Sequence, residues 1–574
     1  MAIWKTYRIA DAVTEIGDEK FVLPVIQRSL VWTEDKMELL FDTLLKGDSF
    51  GGVIVIEEEK DSKPLFNYRP FTNDGNFIPS RQVDNLPQQQ FFVIDGQQRL
   101  QSFYIGLKGT LNGKILFFDL FSDFNTEYEF KFEKDENKLP KISKENIDRK
   151  IQEHFWYSAS ELLRRLKDTN DEDQVANEII SKYSIADELI KNHITKNVRA
   201  FYKNVITAEA VGISKVVINK YLPGKDEQES ATENRQRIVE LFRRLNDGGT
   251  KLSSFDLVAS ILKSFSWEME GFLKEMIDTY QDIGLSQDNL IKLIFILQDN
   301  HNKEMASIDA TDADFAIKNR NKIKVTIKAL KDFLEYSNTY EYYKESNRSF
   351  IPLFFIAYHL FHKNIDNDTL KNYFNNYETG NVDFPLMKSW LYHSLINGVF
   401  KSRGAGWIPY KTGIKKILET IKNYHNQAFP KNELFQIYIN YPIKYTSAYT
   451  SNNLDQLDSS FVYYLMYDRA RTTRTNDVDH IMPKSILEAK GYDWDKINSI
   501  KNFQLLDYGT NRGTKNASPF SDWVTNKVYV KDNSSYATIH LIPTDKTFWN
   551  EDKFENFIEA RASLITQKLN NYLK

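Results

Sequence analysis

The chain has 574 residues and a formal net charge of −4, from 75 Lys and Arg against 79 Asp and Glu. This length exceeds what one hydrophobic core usually organises, and the absence of cysteine excludes disulfides, thiolate metal sites and cysteine nucleophiles. The charge argues against a strongly basic nucleic-acid binder, but it leaves room for local basic surfaces.

The first hundred residues combine helical and strand-like patterns and open without a signal-peptide pattern. No stretch of the chain is apolar enough to span a bilayer, which predicts a cytoplasmic protein without a membrane partner. Helical spacing in Glu34 to Leu45 and apolar runs in Gly51 to Ile56 and Phe91 to Ile94 predict an α/β domain. Between the two runs, Glu57 to Gln90 is long for a connection and predicts a surface excursion. One possible role of this excursion is that of a lid.

Further along, the patterns alternate and then become almost entirely helical. The predicted strands are Ile115 to Phe121, Tyr128 to Phe132 and Ser214 to Asn219. Ile151 to Ala208 is mostly helical in pattern, and Pro223 to Arg235 is a polar break. A further helix is predicted at Ile238 to Arg244, and the Gly248-Gly249 pair ends it. Asp256 to Lys444 is helical in pattern, and the short β-like elements after Asn476 end in a helix near Phe554 to Leu573. We therefore predict domains at residues 1–255, 256–444 and 445–574.

The run from Asp95 to Arg99, DGQQR, follows an apolar strand and begins a helix. Backbone amides at a helix N-terminus bind phosphate, and the planar guanidinium of Arg99 matches phosphate oxygens, so phosphate recognition is one interpretation. A β-turn with a capping Asp and a solvated Gln-Arg pair is the other. A P-loop is excluded, because the chain has no GxxxxGK[ST] run.

The strongest pattern lies near the C-terminus, where DVDHIMPKS (Asp477 to Ser485) is followed by NFQLL from Asn502 and NRGTKN from Asn511. Phosphodiester hydrolysis needs a base for water and a hard cation for the developing charge. Histidine supplies a base, and Asp and Asn supply the oxygen ligands that Mg²⁺ prefers. Each element alone is a common surface pair or turn, but the three in order within about 40 residues favour a nuclease.

This order and spacing resembles the HNH nuclease motif, including its form in RNA-guided CRISPR effectors. The resemblance implies a ββα-metal fold with His480 as general base, Asp479 and Asn511 as metal ligands, and Asn502 fixing the loop that holds His480. It suggests Asp477 and Lys515 for outer-shell and phosphate contacts. Asn511 stands where many members carry a His, which favours Mg²⁺ or Mn²⁺ over softer metals.

Three N-terminal segments together resemble the ParB-like domain of the GmrSD family of modification-dependent restriction enzymes and of SspE-type defence nucleases. They are PVIQRSLVW from Pro24, FFVIDGQQRL from Phe91 and FRRLNDGGTKLS from Phe242. The same family ends in an HNH domain. The resemblance implies binding and hydrolysis of a nucleoside triphosphate (NTP) by Gln27, Arg28, Asp95, Gly96, Gln97, Gln98 and Arg99, with Arg244 and Asn246 as further candidates.

The sequence therefore predicts a multidomain α+β protein with a ParB-like α/β N-terminal domain, a helical middle and a ββα-metal (HNH) C-terminal domain. The function that this implies is a metal-dependent DNA endonuclease of a bacterial anti-phage, modification-dependent restriction system, regulated by an NTP-binding domain. Its expected partners are NTP and DNA, including modified phage DNA. Because one HNH site cuts one strand at a time, a homodimer would make double-strand breaks easier. Two alternatives are a nucleotide-switched ParB-like DNA-binding regulator with an inactive HNH domain, and a nucleotide hydrolase whose main product is not cut DNA.

Overall fold

The computed structural model describes residues 4–27, 30–134, 139, 154–247, 254–303, 307–344, 348–401, 410–440, 445–468, 476–507, 509–515 and 517–573. The chain divides into two compact units, residues 1–272 with 305–314 and residues 273–304 with 315–574. Helices and small sheets give a mixed α+β architecture. None of the described helices is both long and apolar enough to cross a membrane. The three-domain division at residues 255 and 444 stays a prediction.

The elements are numbered here in chain order. The strands are β1 (Trp4–Tyr7), β2 (Phe21–Pro24), β3 (Val53–Glu58), β4 (Tyr68–Arg69), β5 (Gln90–Asp95), β6 (Ile115–Asp119), β7 (Phe130–Glu133), β8 (Trp156–Ser158), β9 (Val211–Val216), β10 (Asn476–His480) and β11 (Phe503–Asp507). The α-helices are α1 (Ile9–Gly17), α2 (Glu34–Lys46), α3 (Gln97–Lys108), α4 (Ala159–Thr169), α5 (Glu172–Lys182), α6 (Glu188–Phe201), α7 (Glu227–Asp247), α8 (Ser254–Phe265), α9 (Glu268–Tyr280), α10 (Gln287–Leu297), α11 (Ala310–Lys318), α12 (Arg320–Tyr336), α13 (Tyr340–Tyr343), α14 (Ile351–His362), α15 (Asn367–Lys371), α16 (Asp383–Ile396), α17 (Tyr410–Asn423), α18 (Lys431–Asn440), α19 (Ser459–Met466), α20 (Lys484–Ala489), α21 (Trp494–Ile497), α22 (Phe520–Thr525), α23 (Asn533–Ile539) and α24 (Phe554–Leu573). Two π-helical turns cover Tyr202–Thr207 and Thr510–Lys515, and 3-10 turns cover Gln281–Ile283, Leu454–Gln456, Ile500–Asn502, Lys546–Trp549 and Glu551–Lys553.

The first unit is built on a six-stranded mixed sheet with the strand order β1-β9-β3-β5-β2-β4. Strand β5 pairs antiparallel with β3 and parallel with β2, so both of its edges are covered. Its residues Gln90 to Ile94 are all buried, so both faces of the strand are covered too, and its sequence is a continuous apolar run rather than an alternating one. A separate antiparallel sheet has the order β7-β6-β8.

Helix α2 shows how the helices of this unit pack. Its residues Met37, Leu40, Phe41, Leu44 and Leu45 recur at helical spacing and are all buried in the core of the unit. The helix ends where Gly47 adopts a left-handed conformation with φ of 76°. The helical spacing in the sequence therefore identifies both the helix and its buried face.

The second unit is mostly helical and carries a two-stranded antiparallel hairpin of β10 and β11. The π-helical turn Thr510–Lys515 follows the hairpin. Ile481 and Met482, directly after β10, lie in a core that is shared with residues of α22 and α24. The end of β10 is therefore held by apolar packing.

Most of the predicted elements are present, including the helix predicted near Phe554 to Leu573. The polar break predicted at Pro223 to Arg235 is wrong, because α7 already begins at Glu227. In the first two turns of this helix the buried residues are polar: Ser230 accepts a hydrogen bond from the Leu222 amide, and the Asn234 side chain donates to the Asn219 carbonyl. A buried polar face has no apolar period to detect.

Part of the segment Glu57 to Gln90, predicted as a surface excursion, is packed into the fold. Phe66, Tyr68, Phe71 and Leu86 of this segment are buried, and Tyr68–Arg69 forms the edge strand β4 of the large sheet. The segment is part of the fold, and its aromatic residues are too irregularly spaced for a periodic pattern.

Candidate functional site

The hairpin of the second unit carries the C-terminal motif on two opposite faces. Asp477 and Asp479 are two residues apart on β10, so they point to the same face, and His480 points to the other. The cross-strand partner of Asp479 is Gln504 and that of His480 is Phe503. We call the face that carries Asp477 and Asp479 the acidic face. The π-helical turn covers it, and there Lys515 contacts Asp479 and Asn511 contacts Asp477.

Asp479 is the centre of a buried polar chain. Its Oδ2 accepts hydrogen bonds from Lys515 Nζ at 2.8 Å and from Gln504 Nε2 at 2.9 Å, and Tyr536 donates in turn to Gln504 Oε1. Lys515 also donates to the His480 carbonyl and is fully buried. Burial lowers the pKa of Lys515, and the contact with Asp479 opposes this effect. The Lys515 ammonium group faces protein, which differs from the phosphate contact expected of it.

Asn511 and Asp477 form the second pair on the acidic face. Asn511 Nδ2 donates to Asp477 Oδ2 at 3.2 Å, so the amide oxygen of Asn511 points away from that carboxylate. Within the described residues, no donor contacts Oδ1 of Asp479 or Oδ1 of Asn511. These two oxygens are therefore chemically suited to a hard divalent cation.

Asn502 stabilises the turn that follows His480 through hydrogen bonds to the backbone. Its Oδ1 accepts from the Met482 amide at 3.0 Å, and its Nδ2 donates to the carbonyls of Met482 at 3.2 Å and Ile497 at 3.1 Å. The side chain is fully buried. Three backbone groups from two separate segments thus depend on one amide.

His480 is half-buried on the opposite face, between Phe503 and Asn498. Its ring lies edge-on to Phe503 with the ring centroids 4.8 Å apart, and its Nε2 is 3.1 Å from Asn498 Oδ1. Burial lowers the pKa of His480, although Asn498 and Asp479 oppose the effect. The imidazole is therefore neutral at neutral pH. No sequence pattern marked Asn498, which lies 18 residues after the histidine and reaches it only through the fold.

In the first unit, the DGQQR run forms the turn between β5 and α3. Gln27 Nε2 donates to the carbonyls of Val93 and Ile94 at 2.9 and 2.6 Å, and Gln98 Oε1 accepts from the amides of Val31 and Trp32. Both glutamines, predicted to bind nucleotide, are engaged with the backbone. They hold the turn and the segment before α2 together.

The remaining residues of the run surround the start of α3. Gly96 has φ of +88° as the residue before the helix, and Gln97 is buried. Arg99 Nη2 donates to the Gly52 carbonyl at 2.5 Å and lies 3.5 Å from Asp95 Oδ2, while its buried Nε has no hydrogen-bond partner among the described residues. This guanidinium group is thus only partly used by the fold.

Three predicted nucleotide ligands lie away from this turn or outside the described residues. Arg28 lies outside the described residues, as does the side chain of Asn246. Arg244 is exposed on α7 and pairs with Glu240 of the same helix at 2.8 Å. The described contacts therefore bring Asp95, Gly96, Gln97, Gln98, Arg99 and Gln27 together, and they leave Arg244 on a helix surface.

One group of side chains in the first unit could hold a metal ion by geometry alone. The ligand atoms of Asp119, Glu129 and His154 lie within 4.8 Å of one another. His154 Nδ1 is 2.8 Å from Asp119 Oδ2, whose other oxygen accepts from the amides of Phe121 and Phe155. The pairing of β6 with β7 and β8 brings these three residues close together, and no sequence pattern marked the group.

Comparisons with known proteins bear on the whole chain and on its first half. The chain is 23% identical to an uncharacterized protein of Methanocaldococcus jannaschii over 98% of both chains. Residues 9–263 match the family model described as the GmrSD restriction endonuclease, N-terminal domain. The resemblance of the three N-terminal segments to the GmrSD family is thereby confirmed for residues 9–263, which form a domain of the GmrSD N-terminal type.

Proposed function

We propose that this chain is a metal-dependent DNA endonuclease of the HNH type, acting in modification-dependent restriction with an NTP-binding regulatory domain. One observation carries the proposal: a hairpin followed by a helical turn brings Asp479 and Asn511 to one face and leaves a half-buried His480 at the strand end. Two strands and a helical segment with these side chains are what a ββα-metal site requires. The N-terminal family match supports the restriction context.

The donor set fits Mg²⁺ or Mn²⁺. Oδ1 of Asp479 and Oδ1 of Asn511 are hard oxygen ligands, and such ions are commonly held by few protein oxygens and several waters. Asp477 would orient Asn511 through their hydrogen bond, as residues behind metal ligands commonly do. When bound, the ion would neutralise charge that develops on the phosphate and the leaving oxygen.

His480 is the general base that accepts the proton of the attacking water. In hydrolysis, the oxygen of water bonds to phosphorus while the bond from phosphorus to the leaving sugar oxygen breaks, and the water proton must go to a base. A neutral imidazole can accept it, and the burial that lowers the pKa of His480 keeps it neutral. Asn502 and the apolar packing of Ile481 and Met482 hold the histidine in place.

A plasmid-nicking assay with Mg²⁺ or Mn²⁺ tests the nuclease. The wild-type protein should cut, and His480→Ala and Asp479→Ala should not. His301→Ala is the matched control, because this half-exposed histidine lies elsewhere in the second unit and should leave cutting intact. Equal cutting by the wild-type and His480→Ala proteins would end the assignment.

For the N-terminal domain we propose NTP binding at the start of α3. The amides of the helix N-terminus and the partly used guanidinium group of Arg99 suit a phosphate group, while Gln27 and Gln98 shape the turn. Arg99→Ala should weaken NTP binding in calorimetry, and Arg164→Ala, which removes an exposed arginine of the same unit, should not. Unchanged NTP affinity in Arg99→Ala would reject this site.

One contact favours a second candidate, a nucleotide-switched ParB-like DNA-binding regulator with an inactive HNH domain. Lys515 already places a buried ammonium group on Asp479, as an inactivated metal site could. Full-length protein that binds DNA but does not nick it with any divalent metal, with or without NTP, would support the regulator. Cutting that depends on His480 would exclude it.

A digestion panel tests the restriction context. Modified and unmodified phage DNAs, incubated with and without each NTP, should differ in cutting if the first unit senses a modification or a nucleotide. Equal cutting of all DNAs under all conditions would support the endonuclease activity and reject its proposed regulation.

A further inference from the structure

Asn498 is the hydrogen-bond partner of the His480 ring among the described residues. It follows the short helix α21, and its Oδ1 lies 3.1 Å from His480 Nε2. No other hydrogen bond of the imidazole is formed within the described part of the chain. The protonation of this ring nitrogen therefore depends on which end of the Asn498 amide faces it.

The amide of Asn498 can face the histidine in only one way. Its Nδ2 donates to the Trp494 carbonyl at 2.9 Å, and the backbone amide of Asn498 donates to the same carbonyl at 3.0 Å. Turning the amide over would put its oxygen against the Trp494 carbonyl oxygen, and two acceptors cannot bond. The oxygen therefore points to His480.

An acceptor at 3.1 Å from Nε2 requires a proton on Nε2. We propose that Asn498 is a positioning residue that places a ring proton of His480 on Nε2, so that Nδ1 is the nitrogen that accepts the proton from water. The catalytic consequence rests on the proposed nuclease function, whereas the tautomer itself does not. In the other tautomer Nδ1 would carry hydrogen and could not act as the base.

The support behind Asn498 is rigid enough for this task. The next residue, Ser499, is almost fully buried and donates to Asp455, which also accepts from the Ile500 amide at 3.1 Å. The Ile497 carbonyl before it accepts from the fully buried Asn502. Asn502 also binds Met482, so the turn after His480 and the segment that carries Asn498 share one anchor.

Phe503 is the aromatic neighbour of the His480 ring. Its ring packs edge-on against His480 at 67° between the ring planes. A half-turn of the imidazole would exchange Nε2 for a carbon and would break the bond to Asn498. The pairing of both residues across the hairpin holds the aromatic contact in register.

The test is the tautomer of His480, measured by long-range proton–nitrogen NMR on the full-length protein labelled with ¹⁵N-histidine. The chain has nine histidines, and the His480→Gln variant assigns the signal. At a pH where the ring is neutral, we expect the pattern of a protonated Nε2 and a bare Nδ1. A wild-type signal from a protonated Nδ1 would overturn the proposal without any variant.

Two substitutions separate positioning from folding. Asn498→Leu keeps the approximate shape but removes the acceptor, so the signal should become a mixture of tautomers. Asn498→Asp loses the bond to the Trp494 carbonyl but keeps an acceptor for Nε2, so the proton should stay on Nε2. Asn533→Leu, at a helix start elsewhere in this unit, is the matched control. An unchanged tautomer in folded Asn498→Leu would contradict the assignment.

Nicking activity provides the second readout. Asn498→Leu should lower cutting by about 10- to 100-fold, as loss of a residue behind a catalytic site typically does, and Asn498→Asp should recover part of it. A wild-type protein that does not nick, but whose His480 is protonated at Nε2, would reject the nuclease and leave the tautomer assignment standing. Full activity in Asn498→Leu would reject the catalytic consequence.

Discussion

Gly96 forms the turn between β5 and α3 in a conformation that side chains rarely adopt. Its φ is +88°, and an added Cβ would lie 2.9 Å from Val53 Cγ2 and 3.2 Å from the Gly52 carbonyl oxygen. We expect Gly96→Ala to lower the free energy of unfolding of the first unit by about 1–3 kcal/mol, from backbone strain and crowding. Chemical denaturation measures the change.

Gly271 supplies the control for this prediction. It lies inside helix α9, and an added Cβ would meet no atom within 4 Å. Gly271→Ala should therefore stabilise the helix slightly, by about 0.5–1 kcal/mol. A similar loss of stability in both variants would mean that the Gly96 turn is not strained by a side chain.

Asn502 is the residue on which the turn after His480 depends most directly. Asn502→Ala would leave the amide and carbonyl of Met482 and the carbonyl of Ile497 without this partner in a buried place. We expect a loss of about 3 kcal/mol in the free energy of unfolding, since each buried orphaned group costs about 1–3 kcal/mol. Urea denaturation measures it, and Asn502→Asp should lose at least as much, because a buried carboxylate oxygen would replace the donor that faces the Met482 and Ile497 carbonyls.

Strand β4 and helix α9 are joined by a buried ion pair inside the first unit. Arg69 Nη1 is 2.6 Å from Glu270 Oε1, and Glu270 Oε2 accepts from both the amide and the hydroxyl of Ser80. Both charged residues are almost fully buried. The pair thereby connects the segment Glu57 to Gln90 to a helix through two residues that are 201 positions apart in the chain.

Removing one partner of this pair should be far worse than replacing both. Glu270→Ala should cost about 3–5 kcal/mol in the free energy of unfolding, because it leaves a buried, uncompensated Arg69. The double variant Arg69→Met with Glu270→Leu should recover much of that loss. Additive effects in a double-mutant cycle would show that the two residues do not interact.

The sequence predicted elements whose apolar residues keep a period and missed those that bury polar groups. Helix α2 and strand β5 follow their apolar patterns, whereas the first turns of α7 bury Ser230 and Asn234 and carried no signal. The C-terminal motif contained Asp479, His480, Asn502 and Asn511, which stay predicted site residues. Asn498 and Gln504 could not be predicted, because only the pairing of strands and the packing of α21 bring them to the motif.

At the scale of the whole molecule, the second unit buries several histidines in their neutral form. Burial lowers the pKa of His362 and of His393 to about 4 and that of His540 to about 3. Unfolding exposes these rings and returns their pKa values to about 6.5. Acid should therefore destabilise the second unit at pH values where its carboxylates are still ionised.

His540 gives this effect a sharp test. Its Nδ1 is 2.9 Å from the Tyr467 hydroxyl, the Tyr536 ring lies 4.3 Å away between centroids, and Arg561 donates to its carbonyl. Above pH 6.5 neither state binds a proton at this ring, and below it only the unfolded state does until about pH 3. Stability should thus be full above pH 6.5 and fall as the pH decreases, by about 3 kcal/mol at pH 4.5 for this group.

Replacing His540 with asparagine should remove this part of the pH dependence. The Asn side chain cannot titrate, and its oxygen can still accept from Tyr467, so His540→Asn should flatten the fall in unfolding free energy between pH 7.5 and 4.5 by about 3 kcal/mol. Urea denaturation at a series of pH values measures the slope, and a residual slope should persist because His362 and His393 remain. An identical slope in the variant would mean that His540 is protonated in the folded protein, which would require the contacts with Tyr467 and Arg561 to rearrange in acid.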